Sequence, residues 1–410
     1  MGNWVAFALV AFVLAGAAFA RPEGSEWEIG RPIVTYWAGP DMTDATAQQM
    51  AEGGFNVVWC TENQLDTVAA HGLRAMLHHG LLRPATLDDP EQTAQLDALI
   101  ERVKGHPALY AYFMTDEPSA SRFPELGKLV AHLRQRDPER LAYINLFPTY
   151  ASNEQLGTTG DVETAYAEHL RLFLEQVKPD LVSYDHYHYG VNGDTGQYFL
   201  NLGMIRKAAL REGLPFLNIV QACTWSPGMR VPTSREVRFL VYTSLAYGAQ
   251  GISYYVYCHP GHEGAIAYAD GRPTPLYHAL SRINREFEAI AAELQPLTSL
   301  GAYHLGMVPT GGVGLPEDGA FKVDPPVPAA EFSPPKPIEG LVLGYFGAED
   351  RPTHCVVVNL DYSNDMETTV VGPGPLEVFD ATDQTWRDAG GARATVHLMP
   401  GGGKLVRVAR

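Results

Sequence analysis

The sequence predicts an α/β chain, a (β/α)8 barrel followed by a small antiparallel β-sandwich. Three observations predict it. A short apolar run rich in β-branched and aromatic residues recurs eight times, amphipathic stretches of helical period separate the runs, and after residue 297 the texture changes to Gly/Pro-rich loops and alternating strands. The runs are PIVTYW (32–37), FNVVWC (55–60), LRAMLH (73–78), ALYAYFM (108–114), LAYINLF (141–147), DLVSYD (180–185), PFLNIVQ (215–221) and GISYYVYC (251–258). Between them lie segments such as DPEQTAQLDALIERVKG and TSREVRFLVYTSLAYGAQ, and PLYHALSRINREFEAIAAEL follows the last run. Alternation of this kind implies right-handed crossovers and a parallel sheet, and eight units in roughly 260 residues match a closed barrel. An open doubly wound sheet is the competing architecture, but no glycine-rich phosphate loop follows the first run.

The chain divides into four segments. Residues 1–20, MGNWVAFALVAFVLAGAAFA, carry no charged side chain and end in Ala18-Phe19-Ala20, the small-x-small pattern of a signal-peptidase site. Secretion or periplasmic export is expected, with an uncleaved membrane anchor as the alternative. Residues 21–297 form the barrel, 298–338 a Gly/Pro-rich linker or loops, and 339–410 the sandwich, with strands at LVLGYF, HCVVVNL, TTVVG, LEVFD and ATVHLM. No other stretch is apolar for long enough to span a bilayer, so no membrane insertion is expected after signal cleavage.

A formal charge of −17 with no basic cluster disfavours nucleic acid and anionic membranes as partners and suits an enzyme acting on a neutral polymer. Four cysteines, Cys60, Cys223, Cys258 and Cys355, are too sparse for a disulfide scaffold and lack CxxC spacing, which indicates no zinc site. One bridge, Cys223 to Cys258, is compatible with an oxidising compartment.

In a (β/α)8 barrel the reacting groups project from the carboxyl ends of the strands, so the ends of the runs can be collected in advance. They supply Tyr36 and Trp37, then Trp59 with Glu62 just beyond, His78 and His79, Asp116 and Glu117, and Asn145. The sixth run ends in Asp185, His186, Tyr187 and His188, the seventh supplies Gln221 and Trp225, and the eighth Tyr255 and Tyr257. A mouth lined by aromatic faces and dotted with carboxylates, imidazoles and amides suits a sugar, whose axial hydrogens stack on rings while its hydroxyls need polar partners. Asp116-Glu117 is the sharpest signal, because two adjacent acids repel and both lose hydration in a drying mouth. A helix start is the plainer reading, with Asp116 or Ser119 as cap and Pro118 in the first turn. A metal site on His186 and His188 is a further alternative, but the first run lacks a His-x-His pair; no metal or cofactor is expected.

The eight-unit pattern, the Asp-Glu-Pro after strand four, and the barrel tail AYGAQGISYYVY with DGRPTPLYHALSRINREFEAI resemble glycoside hydrolases of clan A, nearest to the family 42 β-galactosidase-like group and its secreted relatives. The resemblance covers about residues 30–297 and implies hydrolysis of O-glycosidic bonds in an oligo- or polysaccharide. In that clan strand four ends in Asn-Glu with the glutamate as acid/base, and strand seven ends in a glutamate nucleophile. Glu117 falls on the acid/base position and Asp116 replaces the asparagine, but Gln221 stands where the nucleophile would be. Asp185 is then the preferred second carboxylate, with Glu62 and Glu263 as alternatives. Trp37, Trp59 and Trp225 would form sugar platforms. Tyr36, His78, Asp116, Asn145, His186, Tyr187, Gln221 and Tyr257 complete the expected substrate-binding set. A non-catalytic carbohydrate-binding barrel that has lost its nucleophile is the alternative from another class.

Overall fold

The computed structural model describes residues 22–409, so the expected leader lies outside the described residues. Every expected apolar run contains a strand of one parallel sheet: β1 (Ile33–Val34), β2 (Val57–Cys60), β3 (Arg74–Leu77), β4 (Leu109–Asp116), β5 (Leu141–Leu146), β6 (Val182–His186), β7 (Phe216–Gln221) and β8 (Gly251–Tyr255). Around the ring the order is β1-β8-β7-β6-β5-β4-β3-β2. The helices lie between strands as the periodicity requires, for example Pro90–Val103, Ser234–Tyr247 and Pro275–Leu294. Their starts follow from local chemistry. Asp89 accepts from the backbone of Glu91 and Gln92 ahead of Pro90, and Thr233 and Glu236 form a reciprocal capping box.

The seam between β1 and β2 is closed by Asn56. Its backbone N–H donates to Val34 O at 3.0 Å, its Oδ1 accepts from Val34 N at 3.0 Å, and its Nδ2 donates to Pro32 O at 2.9 Å. The Arg74 guanidinium donates to the same Oδ1 at 2.9 Å. A side-chain amide thus stands in for ladder bonds that two short strands do not make, in a place where water is excluded. Asn56→Ala should cost about 1–3 kcal/mol, because it leaves buried donors and acceptors unpaired. A urea midpoint equal to that of the wild type would show that the ring closes without the amide.

Strand period two sorts the interior. Ile33 and Trp37, Val57 and Trp59, Leu141 and Tyr143, and Leu217 and Ile219 share one cluster inside the ring, with Met76, Phe113 and Tyr255. Residues of the opposite parity, such as Tyr36, Val58, Ile144 and Tyr184, pack outward against the helices. The lower barrel is therefore filled with side chains, which leaves the carboxyl end for the site.

The C-terminal region is a pair of sheets of seven and three strands, antiparallel apart from the short parallel pairing of Val313–Gly314 with Thr298–Gly306. The expected strands are present, at Gly340–Ala348, Arg351–Asn359, Met366–Val371, Leu376–Asp380 and Arg393–Leu398. One expectation needs correction: the stretch 298–338 is not all linker. Thr298–Gly306 is a nine-residue strand paired antiparallel with Gly340–Ala348. The sandwich docks on the helix Ser234–Tyr247, where Gly344 lies so close to the Ala246 carbonyl that a Cβ would sit 2.1 Å from its oxygen. It also reaches toward the barrel mouth. Tyr362 donates to Asp194 Oδ2 at 2.9 Å, Arg230 lies 3.7 Å from Asp194, and Arg230 binds Glu236 at 2.5 Å. The loop after β6 is thereby braced from behind. Among the described residues no helix is long and apolar enough to cross a membrane.

Candidate active site

Two irregularities at the end of β4 build the acidic centre. In an unbroken strand Phe113, Thr115 and Glu117 would share one face and Asp116 would point to the other. Instead the register against β5 shifts between Phe113 and Thr115, so that Asp116 pairs with Asn145. A bulge of this kind re-aims side chains, here turning Asp116 into the mouth. The next residue, Glu117, has a φ of +42°, a backbone conformation that costs a non-glycine residue of order 1 kcal/mol and is tolerated at functional sites. Its N–H is fixed to Asn145 O at 2.9 Å. Asp116 is not a helix cap: it accepts from Asn145, while Ser119 occupies the N-cap position of a 3-10 turn, Ala120–Arg122, that leads into the helix Phe123–Arg136.

Asn145 organises the centre. Tyr143 donates to Ser183 Oγ at 2.8 Å, and Ser183 donates to Asn145 Oδ1 at 3.1 Å. That bond fixes the amide orientation, so Nδ2 faces the carboxylates, donating to Asp116 Oδ1 at 3.0 Å and Asp185 Oδ1 at 3.4 Å. Tyr187 also donates to the Asp185 carboxylate. Asp185 is 2% exposed, Glu117 is partly buried and Asp116 is open to the mouth.

The Glu117 and Asp185 carboxyls lie within hydrogen-bonding reach of each other, a contact that favours the protonated form of Glu117. Burial raises the Glu117 pKa most, and repulsion from Asp185 and then Asp116 adds to it. Asp185 is raised by burial and then by Asp116, against the lowering bonds from Tyr187 and Asn145. Asp116 is also raised, by burial. Three carboxyls thus share one side of the mouth and titrate as a group.

Aromatic rings form the rest of the rim. Trp37, Trp59 and Phe113 meet edge to face or tilted, with centroids 4.7 to 5.6 Å apart. Trp225 lies 4.6 Å from Tyr187 and 4.7 Å from Tyr255, and Tyr187 lies 5.1 Å from Tyr255. Tyr255 feels the charge of Asp116, Asp185 and Glu117, which places this second aromatic group beside the carboxyls.

Several expected site residues are placed elsewhere. Tyr36 and Tyr257 are fully buried between strands and helices, their rings 4.9 Å apart: Tyr36 has the opposite parity to Trp37, and Tyr257 lies beyond the end of β8, where strand alternation no longer holds. His186 faces away from the mouth and bonds Asn201 and Thr195 at 2.9 and 3.2 Å; burial lowers its pKa to about 3, so it is neutral. His188 is buried against Phe239 and Asp194. Neither histidine is set to hold a metal, and among the described residues no group of three or more His, Cys, Asp or Glu side chains is. Gln221 is wholly buried and its amide is saturated: Oε1 accepts from Tyr189 N, and Nε2 donates to the carbonyls of Tyr189, Cys223 and Arg230. It holds loops together and has no free group for a sugar.

Glu62 is engaged by the Arg102 guanidinium at 2.6 and 3.0 Å, which lowers its pKa, so it is not the companion of Glu117. Glu263 is exposed on a two-residue ribbon opposite Thr224. His78 is exposed at the end of β3. All four cysteines are free, so the Cys223–Cys258 bridge is absent; Cys223 Sγ instead donates to Tyr255 O. The sequence reading missed Ser183, which fixes the Asn145 amide, and Tyr150, whose hydroxyl accepts from Tyr187 N at 3.2 Å. The parity of Ser183 with Asp185 was the available signal for the first. Nothing local marks Tyr150, which follows β5 in a loop.

The separation of Glu117 and Asp185 bears on chemistry. Paired glycosidase carboxyls stand roughly 5–5.5 Å apart for retention and 6.5–9.5 Å for inversion. Carboxyls within hydrogen-bonding reach of each other are closer than either, which leaves no room for a water seated between Glu117 and Asp185.

No family model and no curated protein sequence matches the chain. Solved structures do. A catalytic mutant of a family 42 β-galactosidase from G. stearothermophilus aligns at a TM-score of 0.58 and 9% identity, over 96% of this chain and 100% of that one. The β-galactosidase of the psychrophilic Marinomonas ef1 aligns at 0.46 and 12% identity over 67% of this chain and 62% of that one. The cold-adapted enzyme from Rahnella sp. R3 gives 0.49 and 11% over 70% and 60%, so the chain spans about three fifths of the length of these two. The first of these likenesses, which runs nearly the whole length of both chains, establishes the architecture: a (β/α)8 barrel carrying a β-sandwich.

Proposed function

We propose that the protein is an exported glycosidase that cleaves an O-glycosidic bond with Glu117 as general acid and then general base. One observation carries the reading. The Glu117 carboxyl, its pKa raised by burial, is held against Asp185, beside Asp116 and between two groups of aromatic rings, at the carboxyl end of a (β/α)8 barrel. A carboxyl with a raised pKa keeps its proton near neutrality and can give it to a leaving oxygen. The neighbouring negative charge of Asp185 or Asp116 then favours the oxocarbenium character that develops at the anomeric carbon. Trp37, Trp59 and Trp225 offer ring faces on which pyranose C–H groups can stack.

Purified protein should hydrolyse at least one member of a panel of 4-nitrophenyl glycosides, and Glu117→Ala should abolish turnover of the matching alkyl glycoside, whose leaving group needs a proton, while leaving the circular dichroism spectrum unchanged. The saturated amide of Gln221 favours a second reading, a binder that keeps the cleft without the chemistry. Glycan-array binding with no hydrolysis of any panel sugar would select it.

A further inference from the structure

Three carboxyl groups stand on one side of the mouth. Glu117, Asp116 and Asp185 come from β4 and β6, with Asn145 of β5 bridging Asp116 and Asp185 from between them. Displacement at an anomeric carbon needs a nucleophile on the face opposite the leaving group, several ångströms from the acid. The strands across the ring present neutral groups there: Tyr255 from β8, Trp37 after β1, Trp59 from β2, and a Gln221 whose amide is fully used. Glu62 is taken by Arg102. Asp185 is too close to Glu117 for the task.

Resting on the glycosidase reading above, we propose that the substrate brings its own nucleophile: the protein acts on 1,2-trans glycosides of 2-acetamido-2-deoxy sugars, and Asp185 receives the amide N–H. The acetamido oxygen reaches the anomeric carbon of its own ring through a five-membered cycle, from the face opposite a trans leaving group. Such a group needs an anionic acceptor for its N–H, an apolar wall for its methyl and a proton donor at the leaving oxygen. Asp185 is held by Asn145 and Tyr187 to accept, and the partly exposed rings of Tyr187, Trp225 and Tyr255 form a wall beside it.

The steps balance. The Glu117 proton turns from Asp185 to the glycosidic oxygen as that C–O bond breaks. The amide oxygen bonds to the anomeric carbon, giving an oxazolinium ion whose N–H is held by ionised Asp185. The alcohol leaves and water enters. Glu117 carboxylate takes one water proton while the water oxygen bonds to the anomeric carbon, and the bond to the amide oxygen breaks. Amide and Glu117 carboxyl are restored, and the product keeps its anomeric configuration.

The test compares 4-nitrophenyl 2-acetamido-2-deoxy-β-glucoside and -β-galactoside with their 2-hydroxy counterparts, using the full chain. The acetamido substrates should be cleaved at least ~100-fold faster in kcat/KM. Within the N-acetyl, N-fluoroacetyl, N-trifluoroacetyl series kcat should fall by more than about tenfold, because fluorine weakens the amide oxygen as nucleophile. Asp185→Asn should lower kcat on the acetamido sugar more than it changes KM. Cleavage of 2-hydroxy glycosides at equal or greater rate, or a covalent sugar trapped on Glu263 by a 2-deoxy-2-fluoro glycoside, would overturn the proposal and leave the glycosidase reading standing. Hydrolysis of no sugar in either set would overturn both.

Discussion

Glu117→Gln lowers kcat on alkyl glycosides and oligosaccharides by about 10²–10⁴-fold and on 4-nitrophenyl glycosides by much less. The difference follows from what the group does. An alkoxide is a poor leaving group and needs the proton that Glu117 holds. A nitrophenolate leaves unaided, so removing the acid is felt mainly in later steps. A plot of log kcat against leaving-group pKa should therefore be shallow for the wild type and steep for the variant. Equal losses on both substrate classes would assign Glu117 to binding. The pH dependence has a definite sign. The Glu117 pKa is raised, chiefly by burial and then by Asp185 and Asp116. Activity should persist at pH values where an ordinary glutamate is ionised, and disappear as pH rises through the raised value. At acid pH it should fall as Asp185 and Asp116, also raised, take up protons.

The parts of this molecule that obey simple periods were legible in its sequence, and the parts that break them were not. Eight apolar runs contain eight strands because a buried parallel strand has to be apolar on both faces. The helix Pro275–Leu294 has the bounds its sequence pattern suggested. Parity along β5 and β6 carries Asn145 and Asp185 to the interior above Tyr143 and Ser183. The same rule, applied to Tyr36, would have sent it to the helix layer, where it is found; Tyr257 shares the parity of Tyr255 and reaches that layer only because the strand ends at Tyr255. What could not be read is the bulge in β4 and the left-handed backbone at Glu117. Neither is encoded by a glycine. Both are imposed by pairing with β5, where Asn145 O takes the Glu117 N–H. Without them the two acids would lie on opposite faces, so the site depends on a departure from the rule that predicts the fold.

The nine-residue strand Thr298–Gly306 escaped for a related reason. TSLGAYHLG alternates imperfectly, and its register slips between Ser299 and Gly301. Gln221 misled in the other direction. A polar residue at a strand end reads as functional, yet its amide replaces backbone pairing for the loops carrying Tyr189 and Arg230. The sandwich buttresses the same loops through Tyr362 and Asp194, so the C-terminal region acts on the site by holding its frame.

The double variant Glu117→Gln, Asp185→Asn should be more stable than the wild type at and above neutral pH, by on the order of 3 kcal/mol. The argument is one of linkage. Both carboxyls have folded-state pKa values above those of the unfolded chain, because burial and mutual repulsion penalise ionisation. Between the ordinary carboxylate range and the raised values the native state binds more protons than the unfolded state, so stability falls as pH rises through that window. Below it both states are protonated and the penalty vanishes. Neutral amides of the same shape carry no charge to desolvate, and the Asn145 and Tyr187 hydroxyl and amide donors can still reach an amide oxygen. The gain should accordingly be small near pH 4, grow through neutrality and level off above the raised values. Thermal midpoints of both proteins across this range measure it directly. A constant difference at all pH values, or a variant less stable at pH 8 than at pH 4 relative to the wild type, would mean that the pair is not held against its own charge. The centre would then lack the stored repulsion that, on the present reading, keeps a proton ready for the leaving group.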